Sequence, residues 1–227
     1  METSLHRQLK EIYAGDDAQT EVKLGSYRID AVTDDHLVEI QHSSLAAIRD
    51  KIGMLIEDHA VLVVKPIIHE KRLVKLDAKG GRIVDQRKSP KRGSLLHVFQ
   101  DLIHFTRVFP HPNLTLDVVL VDVEERRFPG HGRRRRWSKR DHQVEDQRLV
   151  RVRKTHSFRA ATDLLRLIPG KLLPARFDTA ELASALDVNR SDAQQIAYCL
   201  RKMGAAENVG KRGNALLYEL SGDSTAS

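Results

Sequence analysis

The polarity pattern opens with a helix. Leu5, Leu9 and Ile12 recur at helical spacing from Ser4 to Tyr13, Ser4 can cap the start, and Gly15-Asp16-Asp17 ends the run. The period then shortens to two. Thr20 to Leu24, Tyr27 to Val32 and Leu37 to Gln41 read as three short strands, linked by turns at Gly25-Ser26 and Thr33-Asp34-Asp35, an antiparallel meander. From Leu45 to Glu57 helical spacing returns, with Leu45, Ile48, Ile52, Leu55 and Ile56 on one side. Ala60 to Val64 is an unbroken apolar run, the pattern of a strand buried on both faces. Helix, meander, helix and strand in that order predict an α/β sandwich around a mixed sheet.

Lys79-Gly80-Gly81 marks a hairpin between two strand-like pieces. Ser94 to Val108 is predicted as a helix, Leu114 to Val123 as a strand, and Arg148 to Arg153 as a strand pairing back. A third region begins near Thr155. Phe158 to Ile168, Thr179 to Leu186 and Ser191 to Met203 read as helices, capped by Asp178 or Thr179 in the second and by Ser191 in the third. Ala206 to Val209 and Ala215 to Leu220 flank the turn Gly210 to Asn214. Three helices followed by a hairpin is the order of a winged helix-turn-helix. The expected organisation is a first domain over 1–154, a winged-helix domain over 155–221 that folds on its own, and a disordered tail over 222–227.

Composition narrows the class. At 227 residues and 41% hydrophobic, the chain can build a core. No apolar run reaches the roughly 18 residues of a membrane span, and no basic-then-apolar start marks a secretory signal, so cytoplasmic residence is expected. The single Cys199 excludes an internal disulfide and sits on the apolar side of its helix, as a core residue would. The net charge is +7, and eight Lys or Arg residues with no acid fall between Arg126 and Arg140. Such a patch suits a polyanion. Arg133, Arg134, Arg135 and Arg136, with Lys139 and Arg140, can neutralise phosphates, and Trp137 can stack on a base. From Thr155 onward nine basic residues nearly balance eight acidic ones. There Arg201 and Lys202 on the third helix, and Lys211 and Arg212 on the wing, are the candidate DNA contacts; protein binding or homodimerisation is the equal alternative.

Glu21, Asp30 and Glu39 stand on the meander, with Gln41 two residues past Glu39 and therefore on its face. Register can set Asp30 opposite Glu39. Carboxylates on adjacent strands make an oxygen-rich site for a hard divalent cation, which can activate water and offset phosphate charge. Ile29, Ala31, Val38 and Ile40 are expected to form the buried face, leaving Asp30, Glu39 and Gln41 together on the other. The plainer alternative is an amphipathic sheet whose acids simply face water. No Gly-x-Ser-x-Gly elbow or P-loop occurs, and His104 and His111 read as structural.

Asp30-Ala31-Val32, Val38-Glu39-Ile40-Gln41 and Ser43-Ser44 resemble the core of the PD-(D/E)xK nuclease superfamily, nearest its branch around the CoiA competence proteins. His6, Lys10 and Glu21 fall where that branch places a helix His, a helix Lys and an early strand Glu; the resemblance runs from about His6 to Val64. It implies a restriction-endonuclease-like mixed-sheet core with helices on both faces. It also implies Mg²⁺ (or Mn²⁺) held by Asp30 and Glu39, with Glu21 assisting, Gln41 placing the attacking water, and His6, Lys10, Ser43 and Ser44 as accessory groups. The usual motif lysine is Gln41 here. The implied activity is endonucleolytic cleavage of DNA, with RNA still open as a substrate. A catalytically inactive nuclease-fold protein that binds DNA or regulates is the competing reading.

Overall fold

The computed structural model describes residues 3–15, 18–130 and 142–221. The Arg133 to Arg140 run with Trp137 and the 222–227 tail lie outside the described residues. No helix among them is long and apolar enough to cross a membrane.

Helix α1 (Ser4–Ala14) starts one residue earlier than its cap was expected: Thr3 accepts from the His6 amide, and Gly15 closes the helix at φ 72°. Leu5 and Leu9 are buried, but Ile12 is 55% exposed, so α1 buries a narrower stripe than its spacing implied. Strands β1 (Gln19–Leu24), β2 (Tyr27–Val32) and β3 (Leu37–Ile40) form the antiparallel meander. β4 (Val61–Leu76) then runs parallel to β3, β6 (Leu114–Pro129) parallel to β4, and β7 (His142–Phe158) returns antiparallel to β6. The result is a seven-stranded mixed sheet in the order β1-β2-β3-β4-β6-β7, with β5 (Ile83–Lys88) also paired to β4. β6 occupies one edge of β4 over most of its length. The other edge therefore takes β3 along Val61–Val64 and β5 along Arg72–Leu76.

Both faces of this sheet are covered. α1 packs over Ala31, Val38, Ile40, Val64, Val119 and Val121. The opposite face holds Ile29, Leu37, Val61, Val63 and Leu116, with α2 (Arg49–Leu55), α3 (Val98–Leu102) and residues of the C-terminal region in the same apolar cluster. This corrects the expected arrangement of the meander. Ile29 does not share a face with Ala31, Val38 and Ile40; alternation along β2 breaks at Asp30, and Glu39 is only 8% exposed.

The expected helix Ser94 to Val108 is a 3-10 turn (Leu95–His97), the short α3, and further tight turns such as Phe105 N to Leu102 O. The core positions explain this. Phe99, Leu102, Phe105 and Val108 are all buried at a spacing of three, which matches a 3-10 turn rather than the 3.6 of an α-helix. Phe158 to Ile168 likewise becomes a 3-10 helix over Ala161–Leu167. Helix α4 (Thr179–Leu186) carries a capping box between Asp178 and Glu181. α5 (Arg190–Lys202) is capped by Asn189 rather than Ser191, and β8 (Ala206–Arg212) pairs with β9 (Ala215–Leu220).

Cys199 is buried on α5, its Sγ 3.7 Å from the Phe99 carbonyl, and burial pushes its thiol up to about 12. A thiolate is the reactive form. The native protein is therefore expected to resist a thiol reagent at pH 8 and to react once unfolded in guanidinium. Fast labelling of the native chain would contradict this packing.

Candidate functional site

An open cleft of about 440 Å³ lies where α1, the meander and the end of β3 meet. Thr3 and His6 line it from α1's start, Glu21, Arg28 and Asp30 from β1 and β2, and Ile40, Gln41, His42 and Ser43 from the end of β3. The ladder register sets the acids. Ala31 pairs with Val38 and Val32 with Leu37, which brings Asp30 level with Glu39. On the other side Thr20 pairs with Ala31 and Val22 with Ile29, which brings Glu21 level with Asp30. Glu21 is itself irregular, at φ 58°. That left-handed conformation costs a residue with a Cβ of order 1–3 kcal/mol, and such outliers cluster at functional sites.

Asp30 Oδ2 accepts from the Ile40 amide at 2.8 Å and lies 3.2 Å from His6 Nε2. The same His6 Nε2 is 3.1 Å from the Ile40 carbonyl. A carboxylate and a backbone carbonyl thus converge on one nitrogen. Burial works to raise the Asp30 pKa, but the hydrogen bonds from His6 and Ile40 together hold it below the usual carboxylate value. Glu39 moves the other way. Burial raises its pKa, and the Lys51 ammonium, 2.6 Å from Oε2, offsets only part of that. Two adjacent carboxylates pushed in opposite directions is a pattern that accompanies catalytic sites.

The remaining expected residues have definite places. Glu21 is held by Lys10 and Arg28. Gln41 donates its amide nitrogen to Ser43 Oγ at 2.8 Å and to the Ser44 carbonyl at 2.7 Å, so Ser43 and Ser44 fix its rotamer. Glu39 is absent from the cleft lining, and its carboxylate is held by Lys51 of α2, which also donates to the Arg28 carbonyl. Two lysines that the sequence reading passes over therefore belong to the site's frame. Lys51 is one. Lys65 is the other: buried on β4 beside the end of β3, it meets Asp101 Oδ2 at 3.0 Å and donates to the His42 and Ser43 carbonyls, holding the chain that follows Gln41. A lysine directly after Val61-Leu62-Val63-Val64 was the available signal, because a charge in a doubly buried strand needs a partner.

Among the described residues no group of three or more His, Cys, Asp or Glu side chains is disposed to hold a metal ion. Of the two carboxylates that the resemblance assigns to a cation, Asp30 lines the cleft beside the Ile40 carbonyl, whereas Glu39 is turned to Lys51. Mg²⁺ commonly keeps several waters and only one or two protein carboxylates, so Asp30, the Ile40 carbonyl and water are the ligands this cleft offers it.

On the C-terminal region Arg201, Lys202, Lys211 and Arg212 are exposed, but Arg212 is paired with Glu181 at 2.9 Å, and Lys202 lies 6.0 Å from the Tyr198 ring centre. Gln194, Tyr198 and Arg201 form the outward stripe of α5.

The family described as "Domain of unknown function (DUF8091)" matches residues 3–159, a span that ends one residue beyond β7. An "Uncharacterized protein" of Treponema pallidum (strain Nichols) is 30% identical over 219 residues, covering 96% of this chain and 84% of the relative. No solved structure matches.

Proposed function

The chain belongs to the DUF8091 family, and we propose that it is a metal-dependent endonuclease of the PD-(D/E)xK kind acting on DNA. One observation carries this reading: the Asp30 carboxylate and the Ile40 carbonyl converge at the end of a parallel strand, where both meet His6 Nε2, on the strand pair that sets Asp30 level with Glu39. Asp30 and the Ile40 carbonyl would hold Mg²⁺ or Mn²⁺, with Glu39 joining them on release from Lys51. Bound there, such an ion lowers the pKa of water and offsets charge on the phosphate. His6 orients Asp30 through Nε2. Lys10 and Arg28 hold Glu21 at the cleft wall. With its nitrogen committed to Ser43 and Ser44, Gln41 keeps its carbonyl oxygen to accept from an attacking water. The mixed sheet with α1 on one face and α2 and α3 on the other suits a restriction-endonuclease-like core. The α4–α5–β8–β9 segment suits a winged helix that selects substrate or joins two copies of the chain.

A second reading, a non-catalytic DNA-binding relative, draws on the Lys51–Glu39 pair, because Lys51 already supplies the positive charge that a cation would bring. Lys51→Met separates the two. Removing one partner of a buried pair costs about 3–5 kcal/mol, so the melting temperature is expected to fall in EDTA. If Glu39 is a metal ligand, millimolar Mn²⁺ should restore much of that deficit. An equal deficit with and without Mn²⁺, in a protein that cleaves no DNA or RNA of a substrate panel, would leave the scaffold reading standing.

A further inference from the structure

Beyond Ile68 the sheet changes character. On β4 the apolar run gives way to His69-Glu70-Lys71-Arg72, and on β6 to Glu124-Glu125-Arg126-Arg127. Register brings Arg87 of β5 and Glu125 of β6 to either side of Leu73, and Arg127 beside Lys75, two residues further along β4. Directly paired residues share a face, as do residues two apart on one strand. Lys71, Arg87 and Arg127 therefore project from one side of three neighbouring strands. With strands about 4.8 Å apart, this stripe of cations is about 10 Å wide.

A groove of about 470 Å³ opens on that side, and Lys91 and Arg92 complete its wall. Five Lys or Arg residues line it against one carboxylate, Glu125. Glu125 is already shared between Lys71 at 2.6 Å and Arg127 at 3.7 Å, while Arg92 turns to Glu70 at 3.2 Å. Arg87 and Lys91 have no side-chain partner among the described residues. A groove with this surplus of cations draws a polyanion. Among the described residues no Phe, Tyr or Trp lines it, so the contacts these residues offer are to phosphate and not to stacked bases.

The groove also leads to the cleft. Val64 pairs with Ile40 at the cleft, and Ile68, four residues on, lines the groove, a step of about 13 Å along the strand. His42 of the cleft is also within electrostatic reach of Lys71 and Glu125 of the groove.

We propose that this groove on β4, β5 and β6 is a track for the phosphate backbone of double-stranded nucleic acid, holding the duplex beside the Asp30 cleft. That the duplex there is a substrate rests on the nuclease reading; that it binds does not. The test is the fluorescence anisotropy of a labelled duplex with the full chain in EDTA, over a range of salt, for wild type and for the double variant Arg87→Ala, Lys91→Ala. Neither side chain is engaged internally, so the variant should melt like wild type. Its affinity at low salt should fall about tenfold, and the slope of log affinity against log salt should flatten by about two, near one unit for each phosphate no longer neutralised. A single strand of equal length should bind no tighter than the duplex. An unchanged slope, tighter binding of the single strand, or competition by polyglutamate equal to that by DNA would each overturn the proposal. Wild-type cleavage in Mn²⁺ together with unaltered binding by the double variant would sink the groove and spare the nuclease. Groove-dependent binding by a chain that cleaves nothing would do the reverse.

Discussion

Asp30→Asn and Glu39→Gln are each expected to lower Mn²⁺-dependent cleavage of DNA by at least about a hundredfold, the scale on which loss of one group that stabilises developing charge is felt. The amides are better probes than alanine. Asp30 Oδ2 accepts from the Ile40 amide, and Ile40 is almost fully buried. Deleting that acceptor would strand the N–H at a cost of about 1–3 kcal/mol and confuse lost stability with lost chemistry. Asparagine keeps an acceptor and removes only the charge. At Glu39 glutamine keeps an acceptor for Lys51 but leaves that ammonium without a charged partner, so a loss of stability is expected beside the loss of cleavage. Plasmid cleavage beside a thermal melt reads both quantities. Full activity in either variant, with the fold intact, would remove that residue from the site.

The pairing of Asp30 with Glu39 is legible because a period of two and two short turns leave the meander little freedom of register. The faces are not. Placing Ile29, Ala31, Val38 and Ile40 on one buried side assumes unbroken alternation, and Glu21 and Asp30 interrupt it where the two strands lie level. Nothing in the letters marks Glu21 for a left-handed backbone. Lys51 is hidden for another reason. It stands next to Ile52, a core position, and only the seating of α2 on the sheet turns its ammonium toward Glu39.

Long strands escape the apolar pattern for a related cause. The apolar runs Ala60 to Val64 and Leu114 to Val123 look like whole strands, yet β4 extends to Leu76 and β6 to Pro129. In those extensions charged side chains interleave with apolar ones, and the ladder carries Lys71 and Arg127 paired with Glu125 beside the buried Leu73, Val74 and Leu76. The groove is assembled from β4, β5 and β6, whose cations are as far apart in sequence as Lys71 and Arg127. Charge counting along the chain therefore points to the Arg-rich run alone.

Ending the chain after Lys154 is expected to destabilise what remains, instead of releasing a self-sufficient nuclease core. The sequence offers a tidy break there, and the apolar content of residues 155–220 suggests a small module able to fold unaided. The packing joins the two parts. Thr155 to Phe158 supply the last pairs of β7 with Leu116 to Val119 of β6, where Leu116, Val118 and Val119 are buried in the sheet's two apolar clusters. Ile196, Cys199 and Leu200 of α5 belong to the same apolar cluster as Val98, Phe99 and Leu102 of α3, and Cys199 Sγ meets the Phe99 carbonyl. Removing the C-terminal region would expose that side of α3 to water. Penalties of about 1.5–3 kcal/mol for each large buried side chain laid bare accumulate quickly against a total stability of about 5–15 kcal/mol. The truncated chain should show a broadened or much lower melting transition and a tendency to aggregate. Phe99→Ala in the full chain should cost about 3–5 kcal/mol by the same packing. A truncated protein that melts sharply at the full-length temperature, with Phe99→Ala nearly neutral, would show that the α3–α5 packing contributes little to stability.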